Sequence, residues 1–288
     1  MKYLIINGDD FGLVEGINRG IIQAYKEGIL TSASLMANMP GFENAVQLLK
    51  ENPNLGIGAH LNIVRGKPIL SEKEIGSLTN NQGYFYDFSQ VIKRLLLAQF
   101  DLREVEKEFR SQIKKILDYG LHITHLDTEK HIHIFLPILK ILIRLCNEFK
   151  INKIRYFRKS LFFSAYFPTS IFKPYDKSLF LYYLSLINRR YLKQNNIKSS
   201  DYFYIIPSNI KGKLLTMTFV HILRCLKEGV TEIICHPGYF SNESEYQCLG
   251  FGKFNFSNRE DQLLLLLCPE LKQIFKRADV NPINYNQF

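Results

Sequence analysis

Hydrophobic positions along the 288-residue chain alternate between two periods. Lys2 to Asn7 (KYLIIN) is a short, unbroken run of β-forming residues, as expected of a strand buried on both faces. The turn-like stretch Gly8-Asp9-Asp10-Phe11-Gly12 follows. From Val14 to Glu27, Ile17, Ile21, Ile22 and Tyr25 recur at helical spacing, and Gly28 suits the position just past a helix end. Thr31 to Asn38 reads as a second strand. Phe42 to Asn52 reads as an amphipathic helix stopped by Pro53, and Leu55 to Val64 as a third strand. Such a βαβαβ order predicts a parallel sheet with covering helices.

The rhythm continues after a loop-like stretch at 65–85. It gives a helix from Asp101 to Asp118 ended by Gly120, a strand from His122 to Thr128, a helix from Phe135 to Phe149 and a short strand from Lys153 to Phe157. A basic segment then breaks it. Order returns with a helix from Leu214 to Lys227, a strand from Thr231 to His236 and a helix at Asp261 to Leu267. No solenoid-type repeat is present. The expected fold is α/β: one domain over residues 1–288, a distorted, TIM-like (β/α) barrel of as many as seven strands, with an insertion at about 159–211. In such folds the chemistry sits beyond the C-terminal ends of the strands.

Composition narrows the class. With 46% hydrophobic and 22% charged residues, the chain is neither disordered nor a membrane bundle. No apolar run approaches the ~20 residues of a transmembrane helix. The opening MKYLIINGDDFG lacks the pattern of a secretory signal, so a cytoplasmic protein is expected. Cys146, Cys225, Cys235, Cys248 and Cys268 form no CxxC pair, which fits free thiols in a reducing compartment. The net charge of +10 is local: thirteen Lys/Arg face two Asp between Lys150 and Lys213.

Four inferred strands end in ionisable residues. The first runs into Asp9 and Asp10, and the third carries His60. The fourth carries His125 and Asp127, followed by Glu129, His131 and His133, and the late strand ends at Cys235-His236-Pro237-Gly238. Each has a plain structural reading. The two aspartates suit a turn and an N-cap, His60 a satisfied core histidine, His131 and His133 a surface loop, and His236 a strand cap. Together, apolar strands that finish in carboxylates and imidazoles at one rim imply a partner that offsets the desolvated charge. A divalent ion with N/O ligands polarises a carbonyl and lowers the pKa of water. A carboxylate then serves as base, and a histidine protonates a leaving amine.

The residues Asn7 to Gly12, Gly58 to Leu61, Thr124 to Asp127 through His131-Ile132-His133, and Cys235 to Gly238 resemble, in order and spacing, the YdjC-like (ChbG/HpnK) carbohydrate deacetylases. The segments from Thr31 to Met36 (TSASLM) and from Val230 to Ile233 (VTEI) resemble the HpnK branch, associated with hopanoid lipids. The resemblance implies a distorted β/α barrel that deacetylates N-acetylglucosamine-type sugars with Mg²⁺ or Zn²⁺. By position, Asp10 and His60 would ligate metal, Asp9 would be the water-activating base, and His236 the acid or transition-state stabiliser. Asp9 and Asp10 are adjacent and their roles are exchangeable. The family pattern H-x-D-x-H-x-H-x-H has a ligating histidine where this chain has Glu129. Glutamate is a competent, harder ligand that favours Mg²⁺ or Mn²⁺ over zinc. The alternatives are that His131 or His133 takes over, or that the site is lost. His125, Asp127, His131, His133 and Arg155 are the candidates for holding substrate.

Between 160 and 210, phenylalanines and tyrosines from Phe162 to Tyr204 are interleaved with lysines and arginines. This pattern suits an insertion packed on the barrel, an amphipathic surface resting on anionic membrane beside a lipid-linked sugar, or a single-strand nucleic-acid platform. No nucleic-acid motif accompanies it. The expectation is a metal-dependent N-deacetylase acting on an amino sugar or glycolipid, with peripheral contact to the inner membrane face, no nucleic acid, and a homodimeric assembly. The competing classes are an inactive barrel that binds glycans or anionic membrane, and a metal-free glycoside hydrolase with paired carboxylates.

Overall fold

The computed structural model describes residues 1–156, 188–206, 210–239 and 258–288. Its centre is β1 (Lys2–Phe11), whose Leu4, Ile5 and Ile6 have no exposed surface, as expected of a parallel strand covered on both faces. After α1 (Glu15–Lys26) come β2 (Ser32–Leu35), α2 (Phe42–Lys50) and β3 (Gly56–Leu61). Next are α3 (Glu72–Ile75), α4 (Phe88–Leu96), α5 (Leu102–Asp118), β4 (His125–Thr128) and α6 (Leu136–Phe149). Beyond these lie β5 (Tyr202–Ile205), α7 (Gly212–Arg224), β6 (Gly229–Cys235), α8 (Arg259–Leu267), α9 (Pro269–Arg277) and β7 (Val280–Pro282).

Among the described residues all strand pairings are parallel, in the order β4-β3-β2-β1-β6-β5. β6 runs along β1 from Lys2 to Gly8. On β1, β7 pairs at Lys2–Leu4 and β2 from Asn7 onward. Isolated parallel bridges Leu126–Ile154 and Lys153–Lys198 extend the sheet past β4. The result is a curled parallel sheet, a distorted half-barrel with helices outside. Alternation along β1 sorts its side chains. A Cβ on Gly8 would meet the side chains of Leu30 and Ile21 under α1, whereas Asn7 and Asp9 hydrogen-bond to each other in the interior.

That interior is polar. Asn7, Ser34, His125, Asp127, Arg155 and Glu232 all have no exposed surface. Such a set is stable only when hydrogen-bonded throughout.

Several elements depart from expectation. β1 continues to Phe11, because the acidic stretch read as a turn is a bulged strand end. The strand expected at Lys153 to Phe157 forms only bridges within the described residues. The loop at 65–85 holds α3 and a 3₁₀ turn, Gly76–Leu78. Helix α4, not expected from the sequence, starts at a capping box formed by Asp87 and Gln90. Strands β5 and β7 are four and three residues long, too short to show a period. The expected insertion at 159–211 falls mostly outside the described residues.

His125 lies flat against β3. A Cβ on Gly58 would come 2.3 Å from its ring. Gly58→Ala should lower stability by about 1–3 kcal/mol in urea unfolding, an overpacking cost; an unchanged midpoint would contradict this packing.

Candidate active site

The strand ends converge through local backbone distortion. Adjacent residues of a regular strand point to opposite faces, yet Asp9 and Asp10 both flank His60. The cause is a bulge. β1 spends one more residue than β2 between Gly8 and Phe11, and Asp10 adopts φ +68°. Asp is one of the few side chains that tolerates this region. A second distortion follows β4, where Lys130 and His131 have φ of 52° and 55°. It turns the chain sharply enough for Thr128 Oγ1 to meet His133 Nδ1 at 2.6 Å. Left-handed non-glycine residues cost about 1–3 kcal/mol each and gather at functional sites.

Asp10, His60 and Glu129 each offer one ligand atom, all within 4.8 Å of one another, and all are buried. His60 Nδ1 meets Asp127 Oδ1 at 2.7 Å, which leaves Nε2 at 3.1 Å from Glu129 Oε2 and 4.0 Å from Asp10 Oδ1. A carboxylate behind a histidine in this way fixes its tautomer and aims the other nitrogen. The set therefore fits a divalent cation. A second grouping, Asp9, His60 and Asp127, is less suited, because both Asp9 oxygens accept from Arg155 at 2.9 Å and Asp127 occupies Nδ1 of His60.

The carboxylates are matched by cations. Arg65 pairs with Glu129, and Arg259 with Asp10. Burial opposes ionisation of Asp10, but Arg259 and Arg65 hold it well below the usual carboxylate range. For Glu129 burial again opposes, and Arg65 leads the groups that bring it down to about 2. Burial disfavours protonated His60, yet the Asp127 charge and the hydrogen bonds its ring donates to Asp127 and Glu129 raise it well above normal. His236 is half-buried, and its backbone N–H donates to Gln262 Oε1 at 2.6 Å. Burial lowers its pKa, while Asp10 and Asp9 pull the other way. Its turn is held by contact between two glycines: a Cβ on Gly20 of α1 would lie 2.5 Å from Gly238 Cα.

The remaining expected residues sit lower. His125, Asp127 and Arg155 form the floor. Arg155 Nη1 reaches Asp127 Oδ2 at 2.5 Å, and Ser34 Oγ donates to Asp127 Oδ2 at 2.7 Å. His125 Nδ1 meets Thr124 Oγ1 at 2.8 Å. His131 is half-buried, edge-on to Phe203 with ring centroids 6.0 Å apart, and His133 is fully buried. Sequence reasoning missed Arg65, Arg259, Ser34, Glu232 and Tyr285. Glu232 carried a signal as the lone charge in the apolar run VTEIIC, whereas Arg65 and Arg259 lie in or beside loops and carried none.

A parallel half-barrel whose strand ends gather Asp, His and Glu side chains is an architecture that could hold a cation at its rim. Comparison with known proteins gives the family. A family profile described as YdjC-like protein matches residues 3–277, and the chain belongs to that family. The carbohydrate deacetylase of Brevibacillus brevis is 31% identical over 286 residues, covering 99% of this chain and 98% of the relative. That of Thermoanaerobacter pseudethanolicus is 31% identical over 248 residues, 84% of each. A solved structure from Enterococcus faecalis V583, described as a candidate cellobiose-phosphate cleavage protein, shares the fold. Its TM-score is 0.76 at 24% identity, covering 99% of this chain and 98% of that one.

Two predictions follow from the floor and the turn. Burial first, then Arg155, lowers His125 to about 3 and His133 to about 4, although Asp127 pulls the other way in both. The unfolded histidines titrate near ~6.5, so the unfolded chain takes up protons first. Stability should be complete above that pH and fall as pH drops toward the folded values. His125→Phe should remove up to about 1.4 kcal/mol per pH unit of that slope in denaturant unfolding between pH 6.5 and 4.5; an unaltered slope would show His125 is not buried neutral. Gly20→Ala should displace the His236 turn and cut turnover about tenfold or more while the chain stays folded by circular dichroism; full turnover would sever the link between that packing and His236.

Proposed function

We propose that the chain is a divalent-metal-dependent N-deacetylase acting on an N-acetylated amino sugar. The observation that carries the reading is the buried convergence of Asp10, His60 and Glu129 beside Asp9. Full-length relatives described as carbohydrate deacetylases support the substrate class.

In this reading Asp10, His60 and Glu129 hold Mg²⁺ or Zn²⁺. The ion supplies Lewis acidity toward the acetyl carbonyl. Asp9 accepts the proton of the attacking water; Asn7 Nδ2 donates to it at 2.8 Å, and Arg155 fixes both its oxygens. Asp127 orients His60. Arg65 and Arg259 offset the charge of the ligand carboxylates. His236 relays the proton that Asp9 took from water to the sugar nitrogen as the C–N bond breaks, so that acetic acid and a neutral amine leave and the acid then ionises to acetate. His131, half-buried beside Phe203, is the candidate for contact with the sugar, while His125, His133 and Arg155 support the floor. Glu129 adds a hard oxygen ligand, which supports Mg²⁺ or Mn²⁺ over zinc.

A lipid-linked N-acetylglucosamine and contact with anionic membrane are supported by the composition of residues 159–211 and by the resemblance of Thr31 to Met36 and Val230 to Ile233 to the hopanoid-associated branch. Among the described residues no helix is long and apolar enough to cross a membrane. Co-sedimentation with anionic vesicles that weakens with salt is the expected result, and no binding at low salt would remove this version.

Incubation with N-acetylglucosamine oligomers and Mg²⁺ or Mn²⁺ should release acetate, and a chelator should stop it. Asp9→Asn should lower kcat about a hundredfold or more with KM little changed. Glu129→His should keep or raise activity. Turnover that survives the chelator would overturn the proposal in favour of a metal-free hydrolase, and loss of metal binding in Glu129→His would argue against Glu129 as a ligand.

A further inference from the structure

The segment after α9 enters the barrel from the end opposite the acidic rim. β7 pairs with the first residues of β1, Ile283 N donates to Leu4 O at 2.9 Å, and Asn284 Nδ2 donates to Asn54 O at 3.0 Å. These contacts seat Tyr285 with no exposed surface. Its ring stacks on His125, with centroids 3.6 Å apart and planes 12° from parallel. Its hydroxyl donates to Glu232 Oε2 at 2.6 Å. The other oxygen of Glu232 accepts from Arg155 Nε at 2.8 Å. The two terminal nitrogens of Arg155 hold Asp9 at 2.9 Å, and Nη1 also holds Asp127.

The path is thus continuous: Tyr285 to Glu232, Glu232 to Arg155, Arg155 to Asp9. A guanidinium is planar, so fixing Nε fixes the direction of its other two nitrogens. Glu232 sets that plane only while it stays an ionised acceptor. Burial raises its pKa, and Arg155 and the Tyr285 hydroxyl are the groups that limit that rise. Removing the hydroxyl leaves a buried carboxylate oxygen short of a donor, which favours the neutral acid and loosens the bond to Nε. Arg155 then re-partitions between Asp9 and Asp127. We propose that Tyr285 is a positioning residue for deacetylation: through Glu232 it fixes the plane of Arg155, and through Arg155 the carboxylate of Asp9. This rests on the assignment of Asp9 as base.

Tyr285→Phe keeps the stacking ring and removes one hydroxyl. The first readout is independent of activity: the Arg155 Nε–Hε resonance of the full chain, assigned by its loss in Arg155→Lys. Tyr285→Phe should move or broaden it. The second is steady-state kinetics with Mg²⁺ on N-acetylglucosamine oligomers. There kcat should fall about tenfold with KM within about twofold, and Glu232→Gln should fall equally. The double variant should be no worse than Glu232→Gln alone, because both substitutions break one path. An unmoved Arg155 resonance, full kcat per folded molecule, or additive losses would each overturn the proposal, since a purely structural Tyr285 would lower stability alone. Should Tyr285→Phe fail to fold, Glu232→Gln decides by the same two readouts. If the wild-type protein releases no acetate, the functional reading fails, while the resonance still decides whether Tyr285 sets Arg155.

Discussion

One buried guanidinium organises this molecule. Arg155 has no exposed surface and lies against Asp9, Asp127 and Glu232. Burial opposes its charge, but the three carboxylates more than compensate and raise its pKa well above normal. Three acids crowded without it would repel one another and take up protons, and the interior would lose its ordered hydrogen bonds. Desolvation offsets much of the Coulombic gain in such a network, while its hydrogen bonds define one arrangement of side chains. Here that arrangement aims Asp9 and, through Asp127, His60.

Two more ion pairs, Arg65 with Glu129 and Arg259 with Asp10, complete the balance at the rim. Each cation comes from a loop or a helix start outside the sheet, whereas the acids come from strand ends. The backbone contributes strain. Asp10, Lys130 and His131 hold left-handed conformations that place acidic and imidazole groups side by side. The surrounding packing sustains that cost because Gly58 and Gly20 let His125 and the Gly238 turn approach closely.

Much of the sheet was legible in the sequence because parallel strands covered on both faces read as unbroken apolar runs, as in KYLIIN. The helices α1 and α5 were legible from their periodicity and caps. A shared rim could be anticipated because polar residues end several apolar strands, whereas the singling out of Asp10, His60 and Glu129 came from the resemblance to the YdjC-like family. Two things were not legible. The bulge at Asp10 depends on tertiary pairing with β2, so the acidic stretch looked like a turn. The counter-cations Arg65 and Arg259, and Tyr285 beneath the floor, reach the site through long-range packing that leaves no local period. Glu232 was the exception, a charge inside an apolar strand whose partner only the fold supplies.

The pairing of β7 with β1 has a consequence for biosynthesis. The strand that carries both aspartates is synthesised well before two of its neighbours, β6 and β7. Contacts this distant in sequence slow folding. Until β6 and β7 have been made, Leu4, Ile5 and Ile6 lack part of their cover, and an apolar strand with an open edge invites mispairing. The edges of β1 that β6 and β7 later cover are therefore the parts of the sheet left open longest during synthesis.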